Sequence, residues 1–333
     1  MSELCLLTGA SGFIGGHLAR RLVADGYAVR CLVRTGSDTS ALSELDVQLT
    51  VGELTDPASL ARATEGCSHV LHCGALVSDW ATVEEIVAAN VRGTSNLLQA
   101  AVAAPVKRFV HLSTTDVYGY PPGRVDETYA ASRFSNWYAQ TKRDAESHVR
   151  RMHDSGRLET VILRPATVYG PGSKEVVGEI ARAIEGRHML LIDRGRPLAG
   201  LCYVENLADA ALLALRHDAA AGHAFNVSDG LDISWRQFTD ALAEGLGCPP
   251  VRWSLPYWLA SSIGFSMEHS YRLLRKRTGL STPALLSRQA VQVLGRNQEF
   301  SNRKLRELLG WEPRVDYATG LARTLAWVQA QQA

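Results

Sequence analysis

The sequence predicts an α/β fold, a doubly wound parallel sheet with a smaller C-terminal lobe. Short β-branched runs alternate with helical patterns through the first half of the chain, which implies crossover units and parallel strands. The strand runs are almost continuously apolar, as they must be when helices cover both faces of a sheet. After Pro165 the rhythm loosens: residues 249–258 alone hold three prolines and three aromatics. Residues 1–165 are therefore expected to form the sheet domain. Residues 166–333 would form mainly the smaller lobe, with some segments returning to the first.

In chain order, Leu4–Thr8 reads as a strand and Phe13–Ala24 as a helix. Strands follow at 29–33, Val47–Val51 and 70–73. A long helix is expected over 86–103, with Asn90, Asn96 and Gln99 on its polar positions. Next come a strand at 108–113, a helix at 136–153 and a strand at 160–163. A late helix over 302–309 stops at Gly310, with Pro313 beyond it.

The chain has 333 residues, of which 46% are hydrophobic and 21% charged, values that exclude a disordered, collagenous or coiled-coil chain. Its formal net charge of +1 argues against nucleic acid as a partner, because phosphate binding shows as a basic excess. No run approaches the ~18 apolar residues of a membrane-spanning helix, and the opening MSELCLLTGASGFIGG does not read as a signal peptide. The six cysteines form no CxxC pair, which points to reduced, buried thiols and a cytoplasmic protein. A strand turns His69 and His72 to opposite faces, so no metal site is expected there.

Thr8-Gly9-Ala10-Ser11-Gly12-Phe13-Ile14-Gly15 follows the first strand and opens the first helix. Glycines in this spacing permit a tight turn, close approach of backbone to a pyrophosphate and close helix–strand packing, with helix N–H groups facing the anion. Gly-rich turns also end strands for purely structural reasons, but the position inside a βαβ unit favours dinucleotide binding by Gly9, Ser11, Gly12, Phe13, Ile14 and Gly15. The second strand ends with Val33 where an acid would bind ribose hydroxyls, and Arg34 follows. Arg34 is suited to a 2′-phosphate, which favours NADP over NAD; as an ordinary solvated arginine it would leave NAD open. Glu53 and Leu54, after the third strand, are expected near the adenine.

Tyr138 and Lys142 are four residues apart, hence one turn apart on one helix face. A neighbouring ammonium favours phenolate, which makes Tyr138 a candidate proton donor or acceptor for an alcohol–ketone pair. With ten tyrosines and five lysines in the chain, chance alone yields roughly 0.15 such pairs. The spacing gains weight from Ser113 and Thr114, at a strand end where doubly wound sheets present ligands. Their alternative role is local backbone bonding in a Ser/Thr-rich turn.

Together, TGASGFIG, His72-Cys73-Gly74-Ala75, Asn90-Val91-Arg92-Gly93-Thr94, STTDVYG, YAQTK and the run Arg164 to Gly172 resemble the extended short-chain dehydrogenase/reductase superfamily over nearly the whole chain. The resemblance implies a Rossmann-type fold and a Ser/Thr–Tyr–Lys triad. Thr114, with Ser113 beside it, would be the hydroxyl, Tyr138 the acid/base, and Lys142 the residue that binds nicotinamide ribose and lowers the tyrosine pKa. His72, Gly74, Asn90, Pro165 and Val168 would line the cofactor path beside Tyr138 and Lys142. The tail, with Leu201 to Asn206, Ser254 to Tyr257 and Leu309-Gly310-Trp311, is similar to the 3β-hydroxysteroid and sterol-4-carboxylate dehydrogenase branch.

That branch implies an NAD(P)-dependent interconversion of a secondary alcohol and a ketone on a fairly apolar, steroid-like or polyketide-like substrate, in a homodimer as in many relatives. Trp253, Tyr257, Trp258, Phe265 and Tyr271 would form an apolar lid or pocket, or else ordinary core. The basic cluster Arg272, Arg275, Lys276 and Arg277 reads as a solvated helix face, with membrane contact not expected. Two alternatives stand. One is a nucleotide-sugar epimerase or 4-ketoreductase, against which the run Ala199 to Val204 lacks the arginine expected for a diphosphate. The other is a non-catalytic dinucleotide sensor, against which stands the intact triad.

Overall fold

A computed structural model describes residues 3–77, 81–131, 136–278 and 288–331, with 268–278 and 288 as backbone only. The first half runs β1 (Leu4–Thr8), α1 (Phe13–Ala24), β2 (Ala28–Val33), β3 (Val47–Val51), α2 (Pro57–Thr64), β4 (His69–His72), α3 (Val83–Val87), α4 (Gly93–Ala103), β5 (Arg108–Leu112), α5 (Trp137–Asp154) and β6 (Glu159–Pro165). Then follow β7 (Thr167–Tyr169), α6 (Glu179–Glu185), β8 (Leu191–Ile192), β9 (Leu201–Tyr203), α7 (Val204–Arg216) and β10 (Ala224–Val227). The chain closes with α8 (Trp235–Gly245), β11 (Ser254–Leu255), α9 (Tyr257–Thr278), α10 (Arg288–Gly295), α11 (Arg303–Leu309) and α12 (Tyr317–Ala330).

Seven parallel strands form one sheet in the order β3-β2-β1-β4-β5-β6-β10. The chain direction of the winding reverses between β1 and β4, the place where such sheets open a crevice for ligands. Neighbouring strand residues feed opposite layers. Leu7, Val110 and Val161 pack under α1 and α7, whereas Leu6, Phe109 and Ile162 pack under α2, α4 and α5. This two-sided burial is why the strand sequences are apolar without alternation. A separate core holds the smaller lobe, around Tyr169, Leu201, Tyr203, Trp235 and Phe238. Segments of the second half, including α7, β10, Leu305 and Trp311, complete the core of the large sheet.

The helix expected over 86–103 differs from the structure in two ways. It begins at Val83, because Thr82 and Glu85 form a reciprocal capping box. It is also interrupted by a π turn over Ala88–Arg92, which widens the helix by one residue between α3 and α4. Asn90, expected on a polar position, lies inside that turn and is buried. The strand expected at 70–73 is His69–His72, and Cys73 already belongs to the following loop.

All six cysteines are free: Cys5, Cys31, Cys67 and Cys202 are buried, and Cys73 and Cys248 half-buried. Among the described residues, no helix is long and apolar enough to cross a membrane. Among the described side chains, none of the tail's aromatic set is fully buried. Trp253, Trp258 and Phe265 stand largely in solvent, while Tyr257 is half-buried, with the Arg296 guanidinium 4.1 Å over its ring. Tyr271, Arg272, Arg275, Lys276 and Arg277 contribute backbone to α9, and their side chains lie outside the described residues.

The C-terminal segment is tied to the sheet domain by Asn206, fully buried on α7. Its Nδ2 donates to the Val315 carbonyl (2.9 Å) and to Asp229 (3.0 Å), and its Oδ1 accepts from the Val315 amide (3.0 Å). Asn206→Ala leaves both Val315 backbone groups unpaired and is expected to cost about 3 kcal/mol. Urea unfolding measures this directly; a change under about 1 kcal/mol would show that the anchor is dispensable.

Candidate active site

The loop between β1 and α1 is shaped by contacts that leave no room for side chains. Gly9 has φ +73°, and a β-carbon there would come within 2.8 Å of the Gly74 amide nitrogen and 2.9 Å of the Cys73 carbonyl carbon. A β-carbon on Gly15 would overlap the Gly9 carbonyl oxygen. Ser11 and Gly12 are exposed, and Gly12 caps α1 without any side-chain hydrogen bond to the first turn. The helix N-terminus is thus a bare backbone cradle of the kind that receives a phosphate. Phe13 and His17, on the first turns of α1, meet the Gly170-Pro171-Gly172 turn: His17 Nε2 lies 2.8 Å from the Pro171 carbonyl, and a β-carbon on Gly172 would lie 3.2 Å from the Phe13 ring.

Below the cradle runs a chain of buried hydrogen bonds whose direction follows from donor counting. Thr94 donates its one hydroxyl proton to the Asn90 carbonyl (2.6 Å), so it accepts from His72 Nε2 (2.9 Å). Burial, with the Lys142 charge, lowers the His72 pKa to about 3, so the ring is neutral. Its Nδ1 therefore accepts from the Thr8 hydroxyl (2.7 Å), which in turn accepts from the Gly74 amide (3.0 Å). His72 was expected to line the cofactor path. Its ring lies beneath the loop, where it ties β1, β4 and the π turn together.

Asn90 is a clamp. Its side chain accepts from the Leu76 amide (2.7 Å), donates to the Leu76 carbonyl (3.1 Å) and donates to Thr141 Oγ1 (3.3 Å). Thr141 donates onward to the Tyr138 carbonyl (2.9 Å). One side chain thus fixes the loop after Gly74 against the helix that carries Tyr138 and Lys142. Thr8, Thr94 and Thr141 were not singled out as site residues; their signal, an ordinary threonine beside a motif, carries no weight in a sequence.

α5 starts at an Asn136 cap whose Oδ1 accepts from Ala139 (2.7 Å). Tyr138 lies half-buried in the first turn and Lys142 is buried one turn on. Burial, the Asp116 charge and Cys73 push the Tyr138 phenol above its ordinary value. Burial lowers the Lys142 pKa to about 8, against the pull of Cys73 and Glu146. The ammonium donates to the Leu112 carbonyl at the end of β5, which aims it at the sheet edge.

α5 packs on the 3₁₀ turn Thr115–Tyr118, which Thr114 caps by accepting from the Asp116 amide (3.1 Å). Thr114 is partly exposed, whereas Ser113 is buried and faces Glu146 of α5, without a well-formed hydrogen bond among the described residues. Of the two hydroxyls, Thr114 is the one open to a ligand. In this arrangement a neutral phenol, a neighbouring cation and a hydroxyl share one end of β5, a set suited to protonating a carbonyl oxygen.

The remaining expected contacts are more dispersed. Arg34 and Glu53 are exposed beyond the ends of β2 and β3, and Leu54 is half-buried under Gly93. Pro165 ends β6, and Val168 lies in β7, buried in the large core.

The family model described as "NAD dependent epimerase/dehydratase family" matches residues 5–228. The chain belongs to that family. It is thus an enzyme of the extended short-chain dehydrogenase/reductase type, as the motifs implied. It is 33% identical over 319 residues to the 4-hydroxy-2-methyl-3-oxo-4-farnesyl-3,4-dihydroquinoline-1-oxide ketoreductase of Stigmatella aurantiaca, covering 95% of this chain and 93% of that one. It is 30% identical over 332 residues to a 3 beta-hydroxysteroid dehydrogenase/Delta 5→4-isomerase of Mycobacterium tuberculosis, covering 92% and 85%. Among solved structures, a dTDP-glucose 4,6-dehydratase of Streptomyces venezuelae with NAD and TYD bound superposes with a TM-score of 0.80 at 25% identity, over 99% of this chain and 98% of that one.

The buried neutral histidines contribute to the acid stability of this region. His72 and His111 are both fully buried and both lowered by burial and by Lys142, so the unfolded chain takes up protons that the folded one refuses. Their stabilisation is complete above about pH 6.5 and is lost as pH falls below it, by up to about 1.4 kcal/mol per pH unit for each. Urea titrations on either side of that pH should show the fall, and His111→Phe should reduce it. A loss that begins only in the carboxylate range, below about pH 5, would contradict this.

Proposed function

We propose that the protein is an NADP-preferring ketoreductase that interconverts a secondary alcohol and a ketone on a fairly apolar substrate. The observation that carries this reading is the convergence of Tyr138, Lys142 and Thr114 at the end of β5, beside a glycine cradle that would hold the dinucleotide. The ketoreductase and hydroxysteroid dehydrogenase names of relatives matched over most of both chains support the substrate class.

The turn of Gly9, Ser11, Gly12, Phe13, Ile14 and Gly15 fits a pyrophosphate, because Ser11 and Gly12 leave the uncapped N-terminus of α1 open while Gly9 and Gly15 let the loop close tightly behind it. Bound nicotinamide supplies the hydride to the carbonyl carbon. Thr114 would hold the substrate oxygen by a hydrogen bond, and Tyr138, its phenol held protonated, would deliver the proton to that oxygen. Lys142 would bind the nicotinamide ribose and favour the phenolate left behind. Arg34, exposed after Val33, would meet the 2′-phosphate that distinguishes NADP.

Reduced-nicotinamide absorbance tests the reading, with NADPH and NADH run in parallel against apolar ketones and nucleotide-diphospho-4-ketosugars. NADPH oxidation by apolar ketones is expected, with Tyr138→Phe slowing turnover about 10²–10⁴-fold while folding normally. Arg34→Ala should raise KM for NADPH and leave KM for NADH unchanged. Silence on ketones, with turnover of a nucleotide sugar, would replace this function with that of a sugar-nucleotide enzyme.

A further inference from the structure

The four-residue spacing on α5 repeats once more: Tyr138, Lys142 and Glu146 lie one turn apart along one face. Glu146 is 3% exposed and accepts from Arg164 Nε (2.8 Å) and Nη2 (2.5 Å). Arg164, on β6, donates to the Tyr118 hydroxyl (2.8 Å), which donates to Asn226 Oδ1 on β10 (2.6 Å). Asn226 Nδ2 donates to the Ser301 carbonyl (3.2 Å). A bidentate ion pair this deep is often matched or bettered in stability by apolar residues of the same volume. Packing alone therefore does not account for it.

The surroundings of Lys142 supply a reason. From β4 and β5 it faces His72 and His111, both neutral, and from the loop after β4 it faces Cys73, a thiol pushed up to about 11. On its own helix lie the neutral Tyr138 phenol and Glu146, which favours the ammonium. Glu146 faces Arg164, Arg150 (3.6 Å) and the Ser113 hydroxyl, and the arginines keep it ionised against the cost of burial. The carboxylate is thus a fixed negative charge one turn behind the cation.

We propose that Glu146, locked by Arg164, is a positioning residue for Lys142, holding the helix register that aims the ammonium and supplying the charge that keeps it protonated. The inference rests on Lys142 serving the cofactor and adds two residues, from α5 and β6, to the machinery behind it.

The test is NADPH affinity as a function of pH, read by protein-to-cofactor fluorescence transfer, with thermal unfolding in parallel. Wild type should lose affinity as Lys142 deprotonates. In Glu146→Gln the midpoint should fall by about one pH unit. Because that variant leaves Arg164 unpaired, Glu146→Met/Arg164→Met is the second arm: it removes the pair with its volume kept, and should retain the melting temperature while still lowering the midpoint. Glu146→Asp keeps the charge and should restore the midpoint. A folded variant lacking the carboxylate but keeping the wild-type midpoint would overturn the proposal. Absence of NADPH binding in wild type would instead overturn the cofactor reading.

Discussion

The site depends on two stretches of backbone in contact with nothing between them. Gly9 lies on Cys73 and Gly74, and Gly15 lies on Gly9, so the first loop and the loop after β4 close as one surface. Such an approach offers little apolar area to hold it. What holds it is directional: the hydrogen bonds from Gly74 through Thr8, His72 and Thr94 to Asn90. Each member has its donors and acceptors used, and a fully satisfied buried chain of this kind specifies one geometry.

The same economy of space governs the charges. Along the two sheet faces the layers are apolar, and the main group of deeply buried ions among the described residues lies around α5, with Lys142, Glu146 and Arg164. Placing them behind the sheet edge shields them from water, which strengthens each interaction and raises the penalty for any unpaired member.

What was legible in the sequence was whatever a local pattern encodes. Leu4–Thr8, Phe13–Ala24 and Val47–Val51 have the bounds expected from apolar runs and flanking glycines. Tyr138 and Lys142 were legible because their relation is one helical turn. The start of α3 is encoded locally too, in the spacing of Thr82 and Glu85. Asn90 was identified but misplaced on a polar face, because a pattern records residue type and not the partner that draws a side chain inward. The pairing of Glu146 with Arg164 joins a helix to a strand and leaves no periodic trace. Trp253, Trp258 and Phe265 suggested a pocket by composition alone, and composition does not tell a lining from an outer face.

The π turn over Ala88–Arg92 has a consequence for anyone redesigning this scaffold. Regularising it to an unbroken α-helix with the same number of residues would improve the backbone hydrogen bonding and the local propensity. It would also rotate everything after the turn by about 100° relative to what precedes it, because the π turn absorbs one residue more than a turn of 3.6 residues. Asn90 would then no longer face Leu76 and Thr141 while Thr94 faces His72. A more ideal helix would therefore be a poorer one, because the irregularity is the gauge that lets two neighbouring turns address two different loops.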